Sequence, residues 1–222
     1  MLKVGLITVL LAIELTIYYI FGGLASYPFR VLGYGFLIFW YYSIRKNSIN
    51  LTDKLFLITS SFAIISPIPA YILAPIIGNL TEFFLIMIGH VFIILIFRIE
   101  GSKIKFFDKQ NTFVTILIPY ILMPFAFFVA VILPIKSLLV VFVTGIYLLE
   151  MVYLLVLSAF VPFSEKGKLY ISLSMLFLVL ASGANAYRTY ITDFGFNYGV
   201  VRVSTSLFRL FLLLGMLYRN EK

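Results

Sequence analysis

The chain has 222 residues, 63% hydrophobic and 12% charged, with a net charge of +8 and a mean hydropathy of +1.11. Soluble domains are nearer half apolar and a quarter charged, and a chain this size has too little interior to hide so much apolar surface, so the composition excludes a soluble globular protein. With no cysteine and a single histidine, His90, disulfides, thiolate catalysis and Cys- or His-rich metal sites are excluded as well, and neither a metal nor a cofactor is expected.

Long continuous apolar runs predict eight helical membrane segments, roughly 3–21, 28–44, 54–74, 79–99, 112–132, 137–160, 168–187 and 199–218. Each is near the roughly 20 residues that cross about 30 Å of hydrocarbon. Barrel strands would be about ten residues long and would alternate. The expected architecture is all-α: one polytopic transmembrane domain over 1–222, a single bundle with short loops.

Lys3 leads into the first segment, which carries Glu14. "GGLAS" after it weakly resembles a signal-peptidase site, but a signal core rarely holds a glutamate, so a retained helix is expected. The second segment closes on "WYYSIRKN" (40–47), interfacial aromatics followed by cations. "NLTD" (50–53) and "NLTE" (79–82) stand before the third and fourth. Thr52 and Thr81 are the expected caps, with the acid after each complementing the helix dipole. The repeated Asn-Leu-Thr also fits a glycosylation acceptor, although a helix start accounts for both copies. In "SPIPAYILAPIIGN" (66–79), Pro67, Pro69 and Pro75 kink the third helix or end it early, which keeps seven helices as the alternative. "EGSKIKFFDKQN" (100–111) and "PFSEKGK" (162–168) are polar loops.

Eight segments place both termini on one side. Of the 17 Lys and Arg residues, Arg30, Lys136, Arg188 and Arg202 fall on the opposite side and Arg209 within the last segment. The remaining twelve share the side of the termini. That bias orients both termini to the cytoplasm of a cell inner (cytoplasmic) membrane. It also explains the basic charge without a nucleic-acid partner.

Glu14, His90, Glu150 and Arg209 fall near the midpoints of the first, fourth, sixth and eighth segments. An unpaired charge at the bilayer centre costs about 2.5–3.5 kcal/mol on insertion scales. These residues are therefore expected to face inward and pair, Arg209 with either Glu150 or Glu14. Two readings stay open: a substrate-binding or catalytic cavity at mid-membrane depth, and a structural ion pair that fixes helix packing. Arg202, Thr205, Ser206 and Arg209 recur at helical spacing as one polar stripe. With Asn185, Arg188, Tyr190 and Asp193 near its outer end, the stripe forms a polar funnel or a wet interhelical seam. His90, in "LIMIGHVFIILIF", reads first as a hydrogen-bonded core histidine. There is no Gly-rich phosphate loop, no His/Glu zinc motif and no lysine deep in the seventh segment. Ser182 and Ser206 are available hydroxyls, but no Ser-His-acid arrangement follows from their spacing.

The histidine among aromatics in "MIGHVFIILIF", the tyrosine and methionine of "GIYLLEMVYLLVL" and the small residues of "LFLVLASGANAY" follow one another in the fourth, sixth and seventh segments. This order resembles the YhhN-like membrane family that includes the lysoplasmalogenases, a likeness of layout over most of the chain. The resemblance implies eight helices with little outside the membrane. It also implies cleavage of a vinyl-ether lysolipid by two aspartates, one in a Gly-Asp pair of the third helix and one in a Ser-Asp pair of the seventh. Such chemistry needs one group to protonate and another to activate water. Here "AIISPIPAY" and "LASGANAY" occupy those places, and Pro67 and Gly183 stand about where the aspartates would be.

Three functions follow as expectations, in this order. The first is a non-catalytic membrane protein of that fold, a lipid-binding unit or the membrane subunit of a larger complex. The second is a membrane-embedded hydrolase of a lysolipid or ether lipid, with Glu14, Glu150 and His90 as candidate catalytic residues. The third is a small transporter with an anion route along Arg202–Arg209. Arg209, Arg202, Ser206 and Tyr147 are the candidate binding residues. The expected partners are membrane lipids and other membrane proteins.

Overall fold

In a computed structural model of the protein, residues 2–105, 117–192 and 195–220 are described, and every regular element among them is helical. They are α1 (Leu2–Phe21), α2 (Gly23–Arg45), α3 (Leu51–Ile65), α4 (Ile68–Ile72), α5 (Pro75–Ile99), α6 (Met123–Phe127) between π-helical turns at Leu117–Leu122 and Phe128–Ile132, α7 (Leu138–Ser158), α8 (Glu165–Tyr190) and α9 (Asn197–Leu217). Among the described residues, six helical stretches are long and apolar enough to cross a membrane: Leu2–Phe21, Leu51–Ile72, Ile77–Ile99, Leu138–Ser158, Glu165–Tyr190 and Asn197–Leu217. Their outer faces expose large apolar side chains such as Leu6, Val9, Leu149 and Leu176. The molecule is an all-helical membrane protein. Two of the eight expected segments are not among the six. One is α2, whose apolar run is diluted by Arg30 and several tyrosines. The other is the fifth, represented by the shorter apolar stretch Tyr120–Ile132. The first residues of that segment, 112–116, lie outside the described residues, as do Lys109 and Asp193.

The chain divides into two compact units, Met1–Ile96 and Phe97–Lys222, with the boundary inside α5. In the first unit, α1 turns into α2 through Gly22 alone, at φ 90°, a left-handed conformation that glycine adopts without a Cβ penalty. The Lys3 ammonium lies 5.4 Å from the centroid of Trp40, the chain's one tryptophan.

The cap of α3 is Asn50 and not the expected Thr52. Asn50 Oδ1 accepts from the Asp53 N–H at 2.9 Å, and Asp53 Oδ2 accepts from the Asn50 N–H at 3.0 Å. This reciprocal box satisfies two donors that a threonine cap alone would leave half served. Thr52 instead donates to Asn50 Oδ1. Buried Asp53 also accepts from Tyr41 Oη, and Arg45 sits 3.1 Å away.

Thr81 does not cap either. The next long helix already begins at Pro75, and the Thr81 hydroxyl bonds back to the Ile77 carbonyl inside it. Proline at a first helical position gives up only a donor that has no partner there. Between these helices α3 stops at Ile65, and α4 makes little more than one turn after Pro67. A Cβ on Gly78 would stand 2.6 Å from the Pro69 carbonyl oxygen, so the return past α4 requires a glycine. Thr59 donates to the Gly89 carbonyl at 2.6 Å and Tyr27 to that of Ile64 at 2.6 Å, tying α3 to α5 and to α2.

The second unit is built on the antiparallel pair α8–α9. A Cβ on Gly215 would meet Ile171 Cδ1 at 2.5 Å, and one on Gly167 would meet the Tyr218 carbonyl at 3.2 Å. Small residues thus set the close approach of the two helices. Ser174 donates to the Phe208 carbonyl at 2.9 Å, and Ser164, the cap of α8, donates to that of Tyr218 at 2.6 Å. Buried Arg219 stands 3.4 Å from Glu100. Beside this seam four rings stack alternately from the two helices. Phe177 lies on Phe211 (5.6 Å, 14°), Phe211 on Tyr170 (6.1 Å, 19°) and Tyr170 on Tyr218 (5.5 Å, 29°).

Candidate functional site

Tyr147 and Glu150 are three residues apart on α7 and so share a helix face. The Tyr147 hydroxyl lies 2.8 Å from Ser182 Oγ on α8. Two glycines beside these residues take aromatic rings. The nearest atom of Phe128 is 3.7 Å from where a Cβ of Gly145 would stand, and the nearest of Phe127 is 3.7 Å from that of Gly183. The result is a half-buried polar patch of Tyr147, Glu150 and Ser182, walled by Phe127 and Phe128. Chemically it offers one carboxyl and two hydroxyls. Gly183, where the resemblance calls for an acid, is covered by the Phe127 ring.

Arg202, Ser206 and Arg209 are all buried on α9, at 5%, 8% and 9% exposure, so this stripe faces inward. Thr205, on its margin, is half-buried and donates to the Val201 carbonyl. Of the residues expected at the outer end, Asn185 and Tyr190 are exposed, and Arg188 stacks over Tyr198 at 5.8 Å. Asn197 is a polar residue that the sequence reading misses. It is 1% exposed, and its amide has no hydrogen-bond partner among the described residues.

Glu14 and His90 belong to the first unit, whereas Tyr147, Glu150, Arg202, Ser206 and Arg209 belong to the second. Glu14 Oε1 is held by Arg30 Nε at 3.3 Å, both side chains buried, with Arg30 also over the Tyr27 ring. Arg30 is a partner the sequence reading passes over, because it counts that residue as an end-of-segment cation. The signal is present in the spacing. Both residues lie eight positions from Gly22, and a one-residue turn sets equidistant positions at one height on antiparallel helices. His90 is 1% exposed on α5, next to the Gly89 carbonyl that receives Thr59. Pro67, the other position of an expected acid, caps the start of α4.

Among the described residues no group of three or more His, Cys, Asp or Glu side chains is placed to hold a metal ion. No family model, curated protein or solved structure matches the chain.

Proposed function

We propose that this is a non-catalytic multi-pass membrane protein of lysoplasmalogenase-like fold. It acts as a lipid-binding unit or as the membrane subunit of a larger complex. On this reading it crosses a cytoplasmic-type inner membrane eight times, with α2 and the segment ending at Ile132 as the two less apolar crossings, and both termini are cytoplasmic. One observation carries the non-catalytic reading: the ring of Phe127 lies against Gly183, in the place where the resemblance calls for an acid. The salt bridge from Glu14 to Arg30 supports it, since a carboxylate engaged by a buried guanidinium is occupied in a structural ion pair.

The test is purification from native membranes in mild detergent, with mass spectrometry of everything retained and an assay on a vinyl-ether lysolipid. The expected result is one enriched lipid class or a stoichiometric protein partner, and no turnover. Turnover that disappears in Glu150→Gln overturns the reading. It would favour the alternative, a hydrolase of lysolipids or ether lipids, which draws its support from the Tyr147–Ser182 contact one helical turn from Glu150.

A further inference from the structure

We infer that Arg98 and Tyr153 form a clamp for the phosphate diester of a membrane phospholipid, whose acyl chain follows α7. This rests on the lipid-binding reading above and gives it a place and a headgroup. Both residues belong to the second unit, Arg98 in the last turn of α5 and Tyr153 on α7. Arg98 Nε donates to Tyr153 Oη at 2.8 Å, Nη2 donates to the same oxygen, and the guanidinium lies 5.6 Å from the ring centroid. The carbonyls that end α5 are served by other donors: the Gly101 N–H bonds to that of Arg98 and the Ser102 N–H to that of Phe97. The guanidinium is therefore not the cap of its own helix.

The tyrosine decides what the pair binds. A guanidinium has donors and no acceptor, so the Tyr153 oxygen accepts two bonds from it and its own proton points elsewhere. That O–H and the Nη1 edge of the exposed Arg98 side chain are donors side by side, one of them cationic. Such a fork matches two oxygens of a phosphate. Depth selects a lipid phosphate. Arg98 is one residue from the end of the span Ile77–Ile99, where arginine and tyrosine sit among headgroups. Tyr153, Leu149, Ile146 and Phe142 recur at helical spacing on one face of α7. The last three are 63%, 45% and 65% exposed, an apolar track that starts at the clamp.

The test uses the full-length protein in mild detergent, with native mass spectrometry after titration with dioleoylphosphatidylglycerol or with dioleoylglycerol, which lacks the phosphate. Wild type should retain the phospholipid about tenfold better, the effect of one charge-assisted hydrogen bond. Arg98→Gln should lose the preference. Tyr153→Phe and Arg98→Lys keep the net charge and should still lose most of it, which a general attraction to a basic chain would not do. Tyr153→Phe removes one oxygen from a half-buried ring, so it reports on the site even if Arg98→Gln fails to fold. Excess inorganic phosphate should leave the lipid bound, because the apolar track holds its chain. Displacement of the lipid would assign the clamp to free phosphate and overturn the inference. Retention of neither lipid overturns both this inference and the lipid-binding reading. A preference that survives Tyr153→Phe overturns this site only, as does equal retention of the two lipids.

Discussion

Arg30 Nε stands 3.3 Å from Glu14 Oε1, across two helices joined by the single residue Gly22. Removing one member leaves the other buried and uncompensated. Glu14→Leu or Arg30→Met should therefore lower stability by about 3–5 kcal/mol, while the two substitutions together cost much less than the sum. Thermal unfolding of the wild type and these three variants in one detergent measures the coupling. Additive losses would show that the two side chains do not act as a pair.

Gly183 separates size from charge. A Cβ there meets Phe127 at 3.7 Å, ordinary van der Waals contact, and alanine favours helix over glycine by up to about 1 kcal/mol. Gly183→Ala should be neutral or stabilising. Gly183→Asp sets a carboxyl against the ring and should destabilise by roughly 2.5–3.5 kcal/mol, the insertion cost of a mid-helix acid. It should create no lysolipid hydrolysis. Melting temperatures and a turnover assay on the same two variants decide the matter, and activity in Gly183→Asp would show that the loss of the acid alone silences the site.

Gly215 tests the seam. Its Cβ position is 2.5 Å from Ile171 Cδ1 and 2.7 Å from Cγ1, so Gly215→Ala should cost about 1–3 kcal/mol through overpacking. Ile171→Ala in the same chain removes both clashing atoms, so the double variant should lose less than the sum of the two single losses. Denaturant or heat titration of the single and double variants provides the comparison. Gly145→Ala, whose nearest neighbour is 3.7 Å away, serves as the mild control.

Asp53 is fully buried and accepts from Tyr41, Arg45 and the Asn50 N–H. Asp53→Asn turns one of its acceptor oxygens into a donor facing donors. It should destabilise the first unit by about 1–3 kcal/mol, and Asn50→Ala, which removes the other half of the box, by about 1 kcal/mol. Hydrogen exchange should show faster exchange at the start of α3 in both variants.

The helical membrane class was legible because apolar runs of 20 or more residues have no other stable form in lipid. Boundaries near α7 and α9 fell within a few residues, since Ser137 caps α7 and Gly195 stands just before α9. Local chemistry misled at the two Asn-Leu-Thr copies. In the first, an acid at the third helical position makes Asn50 the better cap. In the second, Pro75 had already started the helix. The inward stripe of Arg202, Ser206 and Arg209 could be read from its period. Arg30 as the partner of Glu14, and Phe127 against Gly183, depend on which helices touch, and no single segment carries that information.

The cation over Trp40 has an experimental use. One indole in the whole chain, 8% exposed and beside Lys3, makes tryptophan emission a local signal. The second unit has tyrosines but no tryptophan, so excitation at the red edge sees only the α1–α2 hairpin. The opening of one unit can thus be timed in the presence of the other, with no label attached.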